Sequence, residues 1–276
     1  MNKKLLLALP VLGLFAYFAM PKASAETRYL VTGASTIAPI LQRVSERLQE
    51  REPDLVIDVE TGGTGRGIKD SHAALNDLGM ASRDLTPEEA EGLNVIPIAL
   101  DGVALIAHAS NPLEEITAEQ VVAIYKGEIT DWSALGGPAG DITVVNKAEG
   151  RSTLEVFLNH FGLKATEVKA DVIIGDNAQG VRLVSGDEHA LGYVSIGDAQ
   201  RAAEGGVPIK LLRYRGVVPS VATVTDSTYP IRRTLYVLFR GEPDPIGQKI
   251  LDYIASPEGT ALVQELSFVP LTGSGS

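Results

Sequence analysis

Three times along this chain a short apolar strand empties into a loop of glycine, serine and threonine that opens a helix. The loops are Gly33-Ala34-Ser35-Thr36, Gly62-Gly63-Thr64-Gly65-Arg66-Gly67 and Gly150-Arg151-Ser152-Thr153. Repeated strand–loop–helix units predict an α/β fold. They also predict a chemistry. A helix N-terminus leaves its first N–H groups unpaired and carries about half a positive charge. Glycine lets the backbone approach a guest, and hydroxyls add donors. Such a loop suits an oxyanion. Any one of them also reads as an ordinary cap and turn. Three together, with Arg66, Arg83, Lys147 and Arg151 close by in sequence, point to a shared anion site.

The rest of the chain fits the same alternation. Tyr29-Leu30-Val31 is a strand, and the helix after it is expected from Ser35 or Thr36, with Pro39 in its first turn. Ile37, Ile40, Leu41, Val44 and Leu48 mark its buried face. A strand at 55–59 leads to a second helix expected from about Ile68, and a short strand at 78–81 ends at Ser82-Arg83. Thr86 with Glu89 and Thr117 with Gln120 have capping-box spacing. The apolar stretch 94–109, broken by Pro97 and Asp101-Gly102, is too long for one ordinary strand and reads as a crossing between two lobes. Residues 229–239 read as a second crossing. A strand at 142–145 feeds the third loop, whose helix carries Leu154, Phe157, Leu158 and Phe161 on one face and stops at Gly162. Further strands are expected near 171–174, 191–195 and 209–213, with helices near 179–184, 246–255 and 257–266.

Composition removes several alternatives. Without cysteine there is no disulfide framework, zinc-thiolate site or cysteine nucleophile. A net charge of −11 argues against nucleic-acid binding. It does not exclude a small anion, because salt screens exposed charges beyond about 8–10 Å while N–H dipoles act at contact. The first 25 residues read as an export signal. Lys3 and Lys4 precede an apolar run from Leu5 to Met20, and Ala23-Ser24-Ala25 gives a cleavage site. That run is shorter than the ~20 residues a spanning helix needs. Cleavage after Ala25 and a periplasmic mature protein are expected, and no cysteine stands there for lipid attachment.

Other motifs fail. The glycine-rich stretch at 61–67 matches neither the Walker A loop nor the Gly-x-Gly-x-x-Gly pattern. Ser35 and Ser152 are not in a nucleophile elbow. His72, His108, His160 and His189 show no ligand spacing, and Glu88-Glu89 and Glu114-Glu115 read as solvated helix starts.

An ordered set of segments resembles the periplasmic phosphate-binding proteins of ABC transporters. The set is Thr32-Gly-Ala-Ser-Thr-Ile-Ala-Pro39, Thr61-Gly-Gly-Thr-Gly-Arg-Gly-Ile-Lys69, Leu78-Gly-Met-Ala-Ser-Arg83, Ala99-Leu-Asp-Gly102, Ile129-Thr-Asp-Trp132 and Glu149-Gly-Arg-Ser-Thr153. The resemblance implies a type II periplasmic binding protein fold of two α/β lobes joined by crossing strands. Lobe one would be 26–104 with 229–276, and lobe two 105–228. Carried over by position, Ser35, Thr36, Thr64, Ser82 and Arg83 would face Lys147, Arg151, Ser152 and Thr153 across a cleft. The implied activity is capture of inorganic phosphate for a membrane ABC permease, by a monomer, with no cofactor and no covalent chemistry.

Departures from the family pattern are informative. The family loop usually reads Gly-Ser-Gly-Thr, and here it reads Gly-Arg-Ser-Thr. Lys147 stands where arginine is frequent. Ser82 stands where some members carry an Asp that accepts the ligand's proton. Asp101, Glu149 or Asp84 is left to take that role, Asp101 first among them. Sulfate, molybdate or a phosphonate therefore stays open as the ligand. Two other classes are an exported phosphoester hydrolase with Ser35 or Ser152 as nucleophile, and a surface adhesion or sensing protein. The hydrolase needs a base or metal that sequence does not place.

Overall fold

The computed structural model describes residues 26–271. The export signal expected over residues 1–25 lies outside them.

The chain opens with three βα steps. β1 (Thr27–Gly33) leads to α1 (Ala38–Arg51), β2 (Leu55–Thr61) to α2 (Thr64–His72), and β3 (Leu78–Ala81) to the single turn α3 (Pro87–Ala90). β1 lies between β2 and β3, parallel to both, with Gly33 opposite Thr61 on one side and Met80 on the other. The three strands thus end level, and their loops emerge side by side.

β4 (Leu93–His108) follows, then β5 (Glu115–Ile116), α4 (Ala118–Tyr125), β6 (Thr143–Lys147), α5 (Ser152–Phe161), β7 (Val172–Ile174) and α6 (Asn177–Gly186). Next come β8 (Ala190–Ser195), α7 (Ile196–Glu204), β9 (Ile209–Leu211), β10 (Arg213–Tyr214) and α8 (Val221–Thr225). β11 (Arg232–Arg240), α9 (Pro245–Ala255), α10 (Pro257–Glu265) and β12 (Val269–Pro270) close the described chain. The main sheet runs β2-β1-β3-β11-β4-β8-β6-β7. β6 is parallel to β7 and β8, with Lys147 opposite Ile174, so these strands also end level.

β4 is 16 residues long and changes partner along its length. Up to Gly102 it pairs with β11, and from Val103 it pairs with β8. The core changes at the same place. One apolar cluster runs through Tyr29, Ile40, Leu78, Ala99, Leu235 and Phe268, and a second through Val103, Trp132, Phe157, Tyr193 and Ile231. The molecule therefore has two halves, each with its own core, and β4 passes from one to the other.

Both capping boxes form, with the Thr86 and Thr117 side chains accepting from the Glu89 and Gln120 amides. Three helix starts differ from expectation. α1 begins at Ala38, because Ala34 to Ile37 form a turn closed by the Ile37 amide on the Ala34 carbonyl at 3.1 Å. α2 begins at Thr64 and not near Ile68: Gly63 takes a φ of 93°, a sharp corner that lets the helix start at once. α6 begins at Asn177, because the Asp176 carboxylate caps it through the Gln179 amide at 2.7 Å.

Candidate functional site

The carboxyl ends of the parallel strands in the two halves face one another, the place where open α/β sheets bind ligands. A small cavity lies between them. Its wall is Ala34, Ser35 and Thr36 after β1, Gly63 after β2, Ser82 after β3, Lys147 at the end of β6, Arg151, Ser152 and Thr153 at the start of α5, and Gly175 and Asn177 after β7. It is small and lined mainly by polar groups, so it suits one small polar guest. The loops that sequence could only set in order along the chain converge here.

α5 begins at Ser152, so its first amides have no partner inside the helix, and Ser152 and Thr153 at this end line the cavity. Beside them the Arg151 guanidinium carries a buried Nη1 with no hydrogen-bond partner. A buried unpaired donor costs free energy, more so when charged. That orphan is what an anion in the cavity would satisfy.

Behind the hydroxyls lies a residue that the sequence reading missed. Arg233 on β11 is 6 % exposed and sits directly opposite Asp101 in the β4–β11 pairing. Its Nε and Nη2 donate to Asp101 Oδ2 at 2.9 and 2.7 Å. Nη1 donates to Thr153 Oγ1 at 2.9 Å and Nη2 to Thr36 Oγ1 at 3.0 Å. Each of those threonine oxygens, having accepted from Arg233, is left with its own O–H to donate. Arg233 thus turns two hydroxyls, one from each half, into donors for the cavity. Along β11 it shares the buried face with Leu235 and Val237. An arginine at a core-facing position of a period-two strand was the available signal.

Lys147 is nearly fully buried, and its Nζ donates to Asn177 Oδ1 at 3.1 Å. Asn177 in turn donates through Nδ2 to Asp198 at 2.7 Å. Burial pushes the Lys147 ammonium down to about 7, with Asp176 and Asp198 opposing the shift and Arg233 and Arg151 adding to it. An anion at contact favours the charged form, so binding raises this pKa and takes up a proton wherever the free lysine is neutral. Affinity is therefore independent of pH, as far as Lys147 is concerned, below about 7, where the lysine is charged with or without ligand, and falls, by up to tenfold per pH unit, above it. Comparing oxyanion titrations of the wild type and Lys147→Met between neutral and alkaline pH checks this. The extra alkaline loss should vanish in the variant, and parallel pH profiles would contradict it. Asn177 and Gly175 were also missed. They belong to a fourth strand-to-helix loop, Ile174-Gly175-Asp176-Asn177, which lacks the hydroxyls of the other three and is capped by its own Asp176.

Of the ten residues expected at the site, Ser35, Thr36, Ser82, Lys147, Arg151, Ser152 and Thr153 line the cavity. The other three do not. Thr64 lies behind the wall, where its Oγ1 accepts from the Ser82 amide at 3.0 Å. Arg83 is turned away: Nη1 and Nη2 bind Glu89 at 2.6 and 2.8 Å, and Nε binds Glu155. Glu89 belongs to the first half and Glu155 to the second, so Arg83 ties the halves together. Asp101 does not offer a free carboxylate, since it is held by Arg233 on one oxygen and by the Ser195 hydroxyl at 2.9 Å on the other. Arg66 also turns outward, onto Glu60 and Asp70.

The halves meet closely around the cavity. The Ser82 and Ser152 hydroxyls are in contact, and the Gly65 amide approaches the Gly150 carbonyl at 3.5 Å. A Cβ on Gly63 would fall inside that same carbonyl. Farther out, Arg201 on α7 bonds the Leu266 carbonyl.

Comparison with known proteins agrees with this geometry. A family model described as a PBP superfamily domain matches residues 21–258. A putative phosphate ABC transporter substrate-binding protein from Clostridium perfringens, solved with bound phosphate, is 30 % identical. It superposes with a TM-score of 0.80 over 89 % of this chain and all of that one. An ABC-type phosphate transport receptor from Vibrio cholerae gives 25 % identity and a TM-score of 0.69 over 89 % of this chain and all of that one. The phosphate-binding protein PstS of Bacillus subtilis is 26 % identical over 88 % of this chain and 80 % of its own length. The chain belongs to the PBP superfamily and, within it, to the Pst-type phosphate-binding proteins.

Proposed function

We propose that this protein captures inorganic phosphate in the cleft between its halves, closes over it, and delivers it to a membrane ABC permease. The observation that carries the reading is the convergence of strand-to-helix loops on one small cavity lined by Arg151, whose buried Nη1 has no hydrogen-bond partner. The binding residues are Ser35, Thr36, Ser82, Lys147, Arg151, Ser152 and Thr153, with Arg233 positioning two of the hydroxyls. Residues 26–102 with 232–271 act as one lobe and 103–231 as the other, a few residues from the bounds expected from sequence, because Val103, Ala104, Tyr229 and Ile231 pack in the second core. A ligand that touches both lobes favours the closed state, because only that state offers all the contacts. The apolar run and cleavage site of residues 1–25 support export to the periplasm, where such a receptor meets its ligand. Binding and release involve no covalent step.

Titration calorimetry with phosphate tests the reading. The wild type should bind one phosphate with a Kd of about micromolar or tighter. Lys147→Ala and Thr153→Val should each weaken binding by about tenfold or more with the fold intact. Unchanged affinity in both variants would remove those residues from the site. Turnover of a phosphate ester would point to a hydrolase.

A further inference from the structure

Resting on the phosphate-receptor reading of the cleft, the contacts behind Lys147 give a role to a carboxylate that does not itself line the anion cavity. Lys147 Nζ donates to Asn177 Oδ1 at 3.1 Å, and Asn177 Nδ2 donates to Asp198 Oδ2 at 2.7 Å. Asp198 lies in the first turn of α7, and Arg201 on the same helix donates through Nη2 to its Oδ1. Arg201 also donates through Nη1 to the Leu266 carbonyl of the other half, and it lies 5.7 Å from the centre of the Phe268 ring. An acid in the first turn of a helix, paired with an arginine three residues on, is ordinary on an exposed helix. Here the carboxylate is only 17 % exposed and gives its second oxygen to an amide of the cavity wall.

The order of these groups has a physical consequence. A carboxylate only accepts, so it turns the amino end of the Asn177 side chain toward itself. That leaves the amide oxygen facing Lys147, whose ammonium only donates. The reversed amide would set donor against donor at Lys147 and acceptor against acceptor at Asp198. The lysine, a point charge on a flexible four-carbon stem, is thus held at one place in the wall, with its other N–H groups left for a guest. The amide also keeps the carboxylate away from that guest. A carboxylate directly on Lys147 would offset its charge and repel an anion at contact. One side chain farther out, it orients and attracts the ammonium without meeting the anion.

We infer that Asp198 is a positioning residue for phosphate capture: acting through Asn177, it holds the Lys147 ammonium in the wall of the cavity, and Arg201 holds Asp198 in turn. The test is titration calorimetry of the full mature chain with sodium phosphate. The wild type, Asp198→Asn, Lys147→Met and the double variant are compared, with melting temperatures recorded. Were Asp198 only a negative charge near an anion, its removal would leave affinity unchanged or raise it. As a positioning residue, its removal should weaken phosphate binding by about fivefold or more. On top of Lys147→Met it should add less than about twofold, because the two act as one unit. A pH series adds a readout that a merely structural role would not move. Asp176 and Asp198 favour the Lys147 ammonium, and Arg233 and Arg151 oppose it. Asp198 itself faces Arg201, Asp101 and Arg233. Without Asp198 the ammonium gives up its proton more readily. The alkaline decline in affinity should therefore begin at lower pH in Asp198→Asn, and the shift should be absent in the double variant. If Asp198→Asn does not fold, Asn177→Ala cuts the same link and leaves the Asp198–Arg201 pair in place. It should weaken binding by a similar factor and again add little to Lys147→Met. Unchanged or tighter binding in a folded variant, or full additivity with Lys147→Met, overturns the inference and leaves the phosphate receptor standing. A wild type that does not bind phosphate overturns the receptor reading, and this inference with it.

Discussion

Replacing Arg233 by methionine is expected to abolish phosphate capture and to lower stability by about 3–5 kcal/mol, the usual cost of stranding one partner of a buried ion pair. The stranded group is Asp101, which is 2 % exposed and keeps only the Ser195 hydroxyl as a partner. Binding fails for a separate reason: the Thr36 and Thr153 hydroxyls lose the guanidinium that orients them from opposite halves. The two effects separate in the double variant Arg233→Met with Asp101→Asn. Removing the buried charge should restore most of the stability in urea denaturation, and binding should stay lost. A double variant that regains full affinity would show that Arg233 acts only on the fold.

The second large effect is expected from Gly63→Val. Gly63 has a φ of 93° and a ψ of 164°, a region essentially reserved for glycine, where a side chain costs about 1–3 kcal/mol. The larger consequence appears on closure, because a Cβ there runs into the Gly150 carbonyl on the opposite half. Backbone has nowhere to yield, so the closed arrangement is blocked while each half keeps its own core. Phosphate then reaches the donors of only one half, and affinity should fall by more than about a hundredfold. Small-angle scattering should show no compaction on adding phosphate. Wild-type affinity and compaction in this variant would contradict the role given to closure.

How far the sequence reaches is clear from particular residues. The strand-to-helix loops were legible because their chemistry is local: Gly33, Ser35 and Thr36, or Gly150, Ser152 and Thr153, sit within a few positions of one another. The crossing at β4 was legible because 16 residues exceed an ordinary strand. Convergence of the loops was not, since it depends on strands ending level, which is a matter of register. The fate of each charge was hidden for the same reason. Arg83 looked like a ligand-binding residue by position, yet Glu89 and Glu155 claim it from two different helices. Asp101 looked like a proton acceptor, yet a cross-strand partner 132 residues away occupies it. The start of α2 was misplaced because a run of glycines reads as loop, whereas one left-handed glycine was enough to begin the helix.

The account rests on one oxyanion held between the halves by the loop donors. A crystal structure of the mature chain grown with phosphate tests this most directly. The account predicts a tetrahedral anion within about 2.7–3.2 Å of Arg151 Nη1 and of the hydroxyls of Thr36 and Thr153. Phosphate bound elsewhere on the molecule, with Arg151 Nη1 still unpartnered, would contradict it.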